Sequence, residues 1–318
     1  MGYLSSLNIV SLFNAIPGGI AQGLVWGVMA LGLFLTYKVL GFSDLSVDGS
    51  IATGGATCVM MIANGYSPTV AIFVAFIAGC IAGLVTGLLH TKLGIPDILA
   101  GILTQISCYS INLNIMGKAN QAINIRQVTL YITSNTIYLW RTIGILSIIC
   151  LAIISLIYWY LGTEMGSAIR ATGANEVMAR AQGINTNNMK VITLVLSNGF
   201  VAMSGAILSQ YQGYADVNMG RGAIVIGLAA IIIGEVIGEA VLKKHLNFYG
   251  RLVFVVVGSI IYYFVYVFVI WLKFPPDDMK LLTAIVVALF LAVPYLRNYS
   301  QNSFAHLAKM NKKNGGNK

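Results

Sequence analysis

The sequence predicts an all-α polytopic membrane protein, and three observations predict it. Hydrophobic residues make up 58% of the 318 residues and charged ones only 9%. The mean hydropathy is +0.82, and a water-soluble core of this size cannot hide such a composition. Apolar stretches long enough to cross a bilayer, roughly 17–25 residues as helix, recur along the chain. Strand-like alternation is absent and the runs are far too long for barrel strands, so helices are the spanning form that satisfies the backbone in lipid.

Nine such stretches follow in order, at about Gly18 to Tyr37, Gly49 to Asn64, Pro68 to Leu89, Ile95 to Ile115, Trp140 to Leu161, Lys190 to Ser209, Gly222 to Leu242, Leu252 to Leu272 and Leu281 to Leu296, the second being short. One membrane domain over residues 1–318 is expected, with approximate halves 1–161 and 188–297, a polar loop at 162–187 and a disordered basic tail at 298–318. Residues 1–17 lack the basic start of a signal peptide, so the first span is expected to stay as an anchor. Ser5 to Ile16 and Asn120 to Ile137 are left open as surface helices or loops.

Lysine and arginine set the orientation, because short positively charged loops remain cytoplasmic. With the 162–187 loop inside, thirteen of these residues lie in the cytoplasm and six outside, which places the N-terminus outside and the C-terminus inside. The net charge of +9 is then a topology signal rather than a sign of nucleic-acid binding. The basic tail suits a lipid surface. Cys58, Cys80, Cys108 and Cys150 sit within apolar spans as packing residues, and His90, His245 and His306 form no metal-ligand pattern. Neither a Gly-x-Ser-x-Gly elbow nor a nucleotide-phosphate loop occurs. If ATP drives this chain, another polypeptide carries the ATPase.

Gly41-Phe-Ser-Asp-Leu-Ser-Val47 and Gly213-Tyr-Ala-Asp-Val-Asn-Met219 share an order of glycine, aromatic, small, aspartate, aliphatic, polar, apolar. Each follows a complete span, at opposite membrane faces, as an inverted repeat requires. The first also looks like an interrupted second helix, since Asp44, Ser46, Asp48 and Ser50 with Gly41, Gly49, Gly54 and Gly55 are too polar and glycine-rich for lipid. A short cytoplasmic loop with Asp48 capping the next helix is the plainer alternative. Either one puts Asp44 and Asp48 near the membrane boundary. Gln105, Tyr109 and Asn112 in the fourth span and Asn198 in the sixth are candidates for a solute pathway, together with Asp44, Ser46 and Asp48; as helix-helix glue they would be equally ordinary. Glu235 and Glu239 share a helix face, where an interfacial carboxylate held by lysines is more common than a proton-coupling site.

Gly162 to Lys190 is a polar island between apolar spans. Met165 to Thr172 is expected to form one short helix closed by Gly173, and Asn175 to cap a second, with Glu176 in its first turn and Gly183 at its end. Its small residues, including Ala168, Ala171, Ala179 and Ala181, would let a partner approach, with Arg170 and Arg180 as polar anchors.

Gly166-Ser-Ala-Ile169-Arg-Ala171, Asn175, Ala179-Arg180 and Gly183-Ile184 resemble the cytoplasmic coupling loop of bacterial ATP-binding cassette (ABC) importer permeases of the branched-chain amino acid and ribose type. Phe42-Ser-Asp-Leu-Ser-Val-Asp-Gly-Ser50, Ile95-Pro-Asp-Ile-Leu-Ala-Gly-Ile102 and Tyr109-Ser-Ile-Asn112 resemble the tryptophan/tyrosine transport subgroup. The resemblance implies cytoplasmic coupling helices that dock on a separate ABC ATPase holding ATP and Mg, with no cofactor on this chain. It also implies a second copy of the permease, an extracytoplasmic substrate-binding protein, an inner-membrane location and a hydrophobic or aromatic amino acid as cargo. One departure is Glu176, where the family commonly has proline opening the second short helix. An ion-coupled secondary transporter would explain the repeat and the intramembrane acids but not the docking loop. An intramembrane enzyme would need a nucleophile or metal set that Glu235 and Glu239 lack.

Overall fold

The protein is described from a computed structural model covering residues 9–123, 130–242 and 247–272, with isolated helical positions at 281, 284, 285, 288 and 292. Its elements are α1 (Ile9–Phe34), extended by a π-helical turn (Leu35–Leu40), then α2 (Val47–Ala63), α3 (Pro68–Leu93), α4 (Asp97–Met116), α5 (Leu139–Gly162), α6 (Glu164–Ala174), α7 (Glu176–Ala181), α8 (Thr186–Gln212), α9 (Ala223–Leu242) and α10 (Phe248–Trp271). A small antiparallel ribbon joins β1 (Asn120–Ala122) to β2 (Tyr214–Asp216), with Asn120 opposite Asp216. Among the described residues, seven helices are long and apolar enough to cross a membrane, and α2, at 17 residues, is a shorter apolar helix. The expected ninth span, the basic tail, Lys243 and Lys244 lie outside the described residues, apart from the isolated positions. The segment from residue 9, left open by the sequence, is continuous with α1, while 120–122 is strand.

Local chemistry sets the helix ends. Pro68 opens α3 while the Ser67 side chain accepts from the Val70 N–H, and Gly94 closes the helix in the left-handed region at φ +68°. On α5, Trp140 and Trp159 are each 71% exposed. Their separation in sequence corresponds to about 28 Å of helix, close to the thickness of a hydrocarbon core with aromatic residues at both edges.

Small residues decide how the long helices pair. Gly19, Gly23 and Gly27 on α1 face Val267, Ile260 and Ser259 of α10, and Gly79, Gly83 and Gly87 on α3 face Asn198, Leu194 and Val191 of α8. Both seams run antiparallel with one glycine per helical turn. Without a side chain at these positions the backbones come close enough for dispersion and weak polar contacts to hold helices that lipid would solvate equally well. The crossing of α2 and α8 is tighter still: a Cβ on Gly54 would land on the Ala202 carbonyl, and one on Gly205 on the Ile51 carbonyl.

The two similar sequence segments adopt the same turn. Gly41 and Gly213 each end a helix at positive φ, +71° and +82°. In each segment the aspartate then accepts the N–H two residues on, Ser46 to Asp44 at 2.9 Å and Asn218 to Asp216 at 2.7 Å. The helix after each aspartate pairs with the helix after that, α2 with α3 and α9 with α10. The seams α1–α10 and α3–α8 are likewise exchanged if α1–α3 is laid on α8–α10.

The neighbours of Asp44 set it within the bundle. Asp44 bonds Asn198, which is eight residues, about 12 Å, beyond Lys190 along α8. The chain turns inside the bundle, so α2 begins among the other helices. Gly54→Ala is predicted to lower stability by about 1–3 kcal/mol through overpacking. Gly144→Ala, where a Cβ meets nothing within 4 Å, should be neutral or raise it by up to about 1 kcal/mol; thermal unfolding of the two purified variants measures the contrast.

Candidate functional site

The buried turn after the π-helical segment is held by one polar cluster. Asp44, Ser46, Ser50 and Asn198 are each at most 1% exposed. The Asn198 amide donates to Asp44 at 2.8 Å and to the Leu194 carbonyl at 3.1 Å, while its oxygen accepts from the hydroxyls of Ser46 and Ser50. Ser46 also donates to Asp44 through both its N–H and its hydroxyl. Through Asn198 the cluster ties α8 to the interrupted chain at Asp44 and Ser46 and to the first turn of α2 at Ser50. Three of the expected pathway residues, Asp44, Ser46 and Asn198, are therefore joined in a lock inside the bundle.

The other four form the wall of a cleft of about 300 Å³, to which Asp48, Gln105, Tyr109 and Asn112 all contribute together with Arg221. Asp48 is in the first turn of α2, but its carboxylate accepts the N–H groups of Gly222 and Ile224, both at 3.0 Å. Thus it caps α9 from across the bundle, where a negative charge also meets the positive end of that helix. Arg221 is one of the six basic residues that the charge distribution puts outside. Its position beside the α9 cap is a tertiary consequence of Asp48 and carries no local motif.

At the loop end of the bundle, α6 and α7 make the expected pair of short helices. Thr163 caps α6 through the Gly166 N–H, Asn175 caps α7 through the Met178 N–H, and Gly183 follows α7 at φ +83°. Gly173, expected to stop the first helix, lies within it, and its missing side chain lets α6 sit against the Val39 carbonyl of the π-helical turn. Gly166 similarly abuts Leu161 at the end of α5. Gly166, Ile169 and Ala179 are buried, so they hold the knob together, whereas Ala168 and Ala171 are half-buried.

The two arginines differ. Arg180 donates to Glu176 at 2.6 Å and to Thr186 at 2.7 Å, and Lys190 reaches Glu176 at 2.9 Å, so Glu176 and Arg180 clamp α7 to α8. The Lys190 hydrogen bond is the largest influence on the Glu176 carboxyl and, with the charges of Lys190 and Arg180, holds it below the ordinary value of 4.5 against the opposing effect of burial. Arg170 is exposed and donates to Ser167 of its own helix at 3.2 Å. Val177 and Met178, 78% and 59% exposed, give the knob an apolar outer surface that the sequence reading passed over. Lys38 of the π-helical turn pairs with Glu235 of α9 at 2.8 Å, so Glu235 is held by a lysine from the other half of the chain.

Long apolar helices, a broken helix at depth and a paired-helix loop packed on its base describe a multi-pass membrane permease. Residues 15–294 match the model of a family described as the branched-chain amino acid transport system permease component. The chain belongs to that family of ABC importer permeases. It is 39% identical over 299 residues to a tyrosine transport system permease protein of Clostridioides difficile (strain R20291), covering 92% of this chain and 96% of that one. An uncharacterized protein, RP368, of Rickettsia prowazekii (strain Madrid E) is 29% identical, over 88% and 97% of the two chains. The ribose import permease protein of Escherichia coli (strain K12) is 26% identical, over 80% and 75%.

Asn198→Ala removes all four contacts of the lock and leaves the Asp44 carboxyl short of a donor at depth. It is predicted to cost about 3 kcal/mol or more, read as a fall in thermal stability in detergent. Glu176 generates a pH prediction. Its folded value is depressed, so its contribution is present above 4.5 and is lost as pH falls through the lowered value. Amide exchange in α7, corrected for intrinsic rates, should therefore accelerate over that acidic window in the native chain. In Glu176→Gln it should be fast throughout and lose that dependence.

Proposed function

We propose that this chain carries a hydrophobic or aromatic amino acid, tyrosine or tryptophan foremost, into the cytoplasm. The identity with a permease named for tyrosine transport supports the cargo. The pathway is assigned to Asp48, Gln105, Tyr109 and Asn112, which border the cleft, with Asp44, Ser46 and Asn198 as the lock behind it. The N-terminus is placed outside and the loop and C-terminus inside, from the distribution of lysine and arginine. Residues 1–161 and 188–297 are the two halves of one domain, with 162–187 as the coupling loop.

An ABC ATPase subunit, holding ATP and Mg, docks on α6 and α7. A second copy of this permease closes the path, and an extracytoplasmic binding protein delivers the solute. The observation that carries the docking assignment is the pairing of an exposed outer surface, Val177, Met178 and Arg170, with an inner surface packed on the π-helical turn. A partner that moves the knob thus pushes on Val39 and Leu40, one short step of chain from Asp44. ATP binding would draw two ATPases together, carry the knobs with them and shift the turn that the lock holds.

Arg170→Glu and Met178→Asp are predicted to lower ATP-driven uptake at least about tenfold, the equivalent of roughly 1.4 kcal/mol at the docking surface. Membrane abundance of both variants should stay near that of the native chain. Undiminished uptake by both would remove the knob from the coupling route.

A further inference from the structure

The cleft against α4 brings together a half-buried Asp48, an exposed Arg221 and a buried, unsatisfied amide. Asn112 is fully buried, contributes to the cleft wall, and has no hydrogen-bond partner for either Oδ1 or Nδ2. A buried amide left with both ends open points to a group that completes it. Arg221 borders the same space and forms no ion pair among the described residues. Asp48 faces it from α2; its two accepted N–H bonds leave capacity on a carboxylate that can take about four. Ionised groups inside a membrane bundle mark solute pathways or pair with one another, and no Asp48–Arg221 ion pair forms here.

We propose that this cleft is a transit site for the zwitterionic head of an α-amino acid. Arg221 takes the carboxylate, Asp48 and the Asn112 oxygen take the ammonium, and Tyr109 and Ile106 flank the side chain. A space of about 300 Å³ is at the small end of ligand sites and suits one such solute. A neutral sugar would leave both Asp48 and Arg221 without a countercharge, and a simple anion would leave Asp48 and Asn112 unused. The proposal rests on the amino-acid reading of the cargo, and it adds the groups that recognise it.

The test uses the full-length chain in lipid nanodiscs and compares three probes, L-tyrosine, tyramine (no carboxylate) and 3-(4-hydroxyphenyl)propionate (no ammonium), by saturation-transfer NMR titration. The native chain should bind L-tyrosine at least about tenfold more tightly than either analogue, as the loss of one charged group from each requires. Arg221→Gln should abolish the preference over tyramine and keep that over the propionate, and Asp48→Asn should do the reverse. Ratios taken within one variant are insensitive to a loss of folded protein. If Arg221→Gln does not accumulate, Arg221→Lys decides, since the proposal requires it to keep a preference over tyramine. Unchanged ratios in both charge-deleting variants, or equal binding of all three probes to the native chain, would overturn the site. Uptake of L-tyrosine by cells carrying the native transporter separates the two levels. Uptake with unchanged ratios removes only the transit site, whereas binding of D-ribose in place of all three probes, with no amino-acid uptake, removes the cargo reading as well.

Discussion

Everything in this bundle is arranged around one demand, that a chain broken inside hydrocarbon must find partners for its polar groups within the protein. The break after the π-helical turn would expose a carboxylate, two hydroxyls and the start of α2. Asn198 answers most of that demand with one side chain, donating to Asp44 and accepting from Ser46 and Ser50. An asparagine can do this because it offers donor and acceptor faces at once; a serine could not span the gap and an aspartate would repel Asp44. Once α8 carries that residue, its position relative to α2 is set, and the glycines at the α2–α8 and α3–α8 crossings follow, because only a bare backbone allows the approach.

The same economy links the loop to the membrane core. Gly173 seats α6 on the Val39 carbonyl, and the π-helical turn carries Lys38 to Glu235 on α9. The base of α1 is thus gripped from the loop on one side and from the second half on the other. π-helical turns are uncommon and tend to lie where a helix must change its register at a functional site. Here it occupies the stretch between the knob and the buried break.

Periodicity, composition and charge foretold the helical class, the loop helices and the Asn175 cap, since these are local properties. The Thr163 cap was not foreseen because α6 begins at Glu164, one residue earlier than the Met165 start expected from the sequence. What the sequence hid was tertiary. Asp48 looks like a cap for the helix that contains it, yet it caps α9, because the two helix starts converge at depth. Gly173 looks like a stop and proves to be a contact. Glu176 and Arg180 look like docking groups, but pairing with Lys190 and Thr186 absorbs them. The glycines of α1 and α3 recur one turn apart in the sequence, so that spacing is a local signal for the seams.

The two Asx turns carry a consequence for the direction of transport. A unit duplicated and inserted both ways up has no intrinsic inside or outside, and two identical halves would conduct equally in either sense. Here the turns match while their surroundings do not: Asp44 is sealed among Asn198 and serines, whereas Asp216 lies on a strand ribbon beside Asn120. Vectoriality in such a protein would therefore reside in how far its halves have drifted apart, with the shared turn as the fixed point from which the drift can be measured.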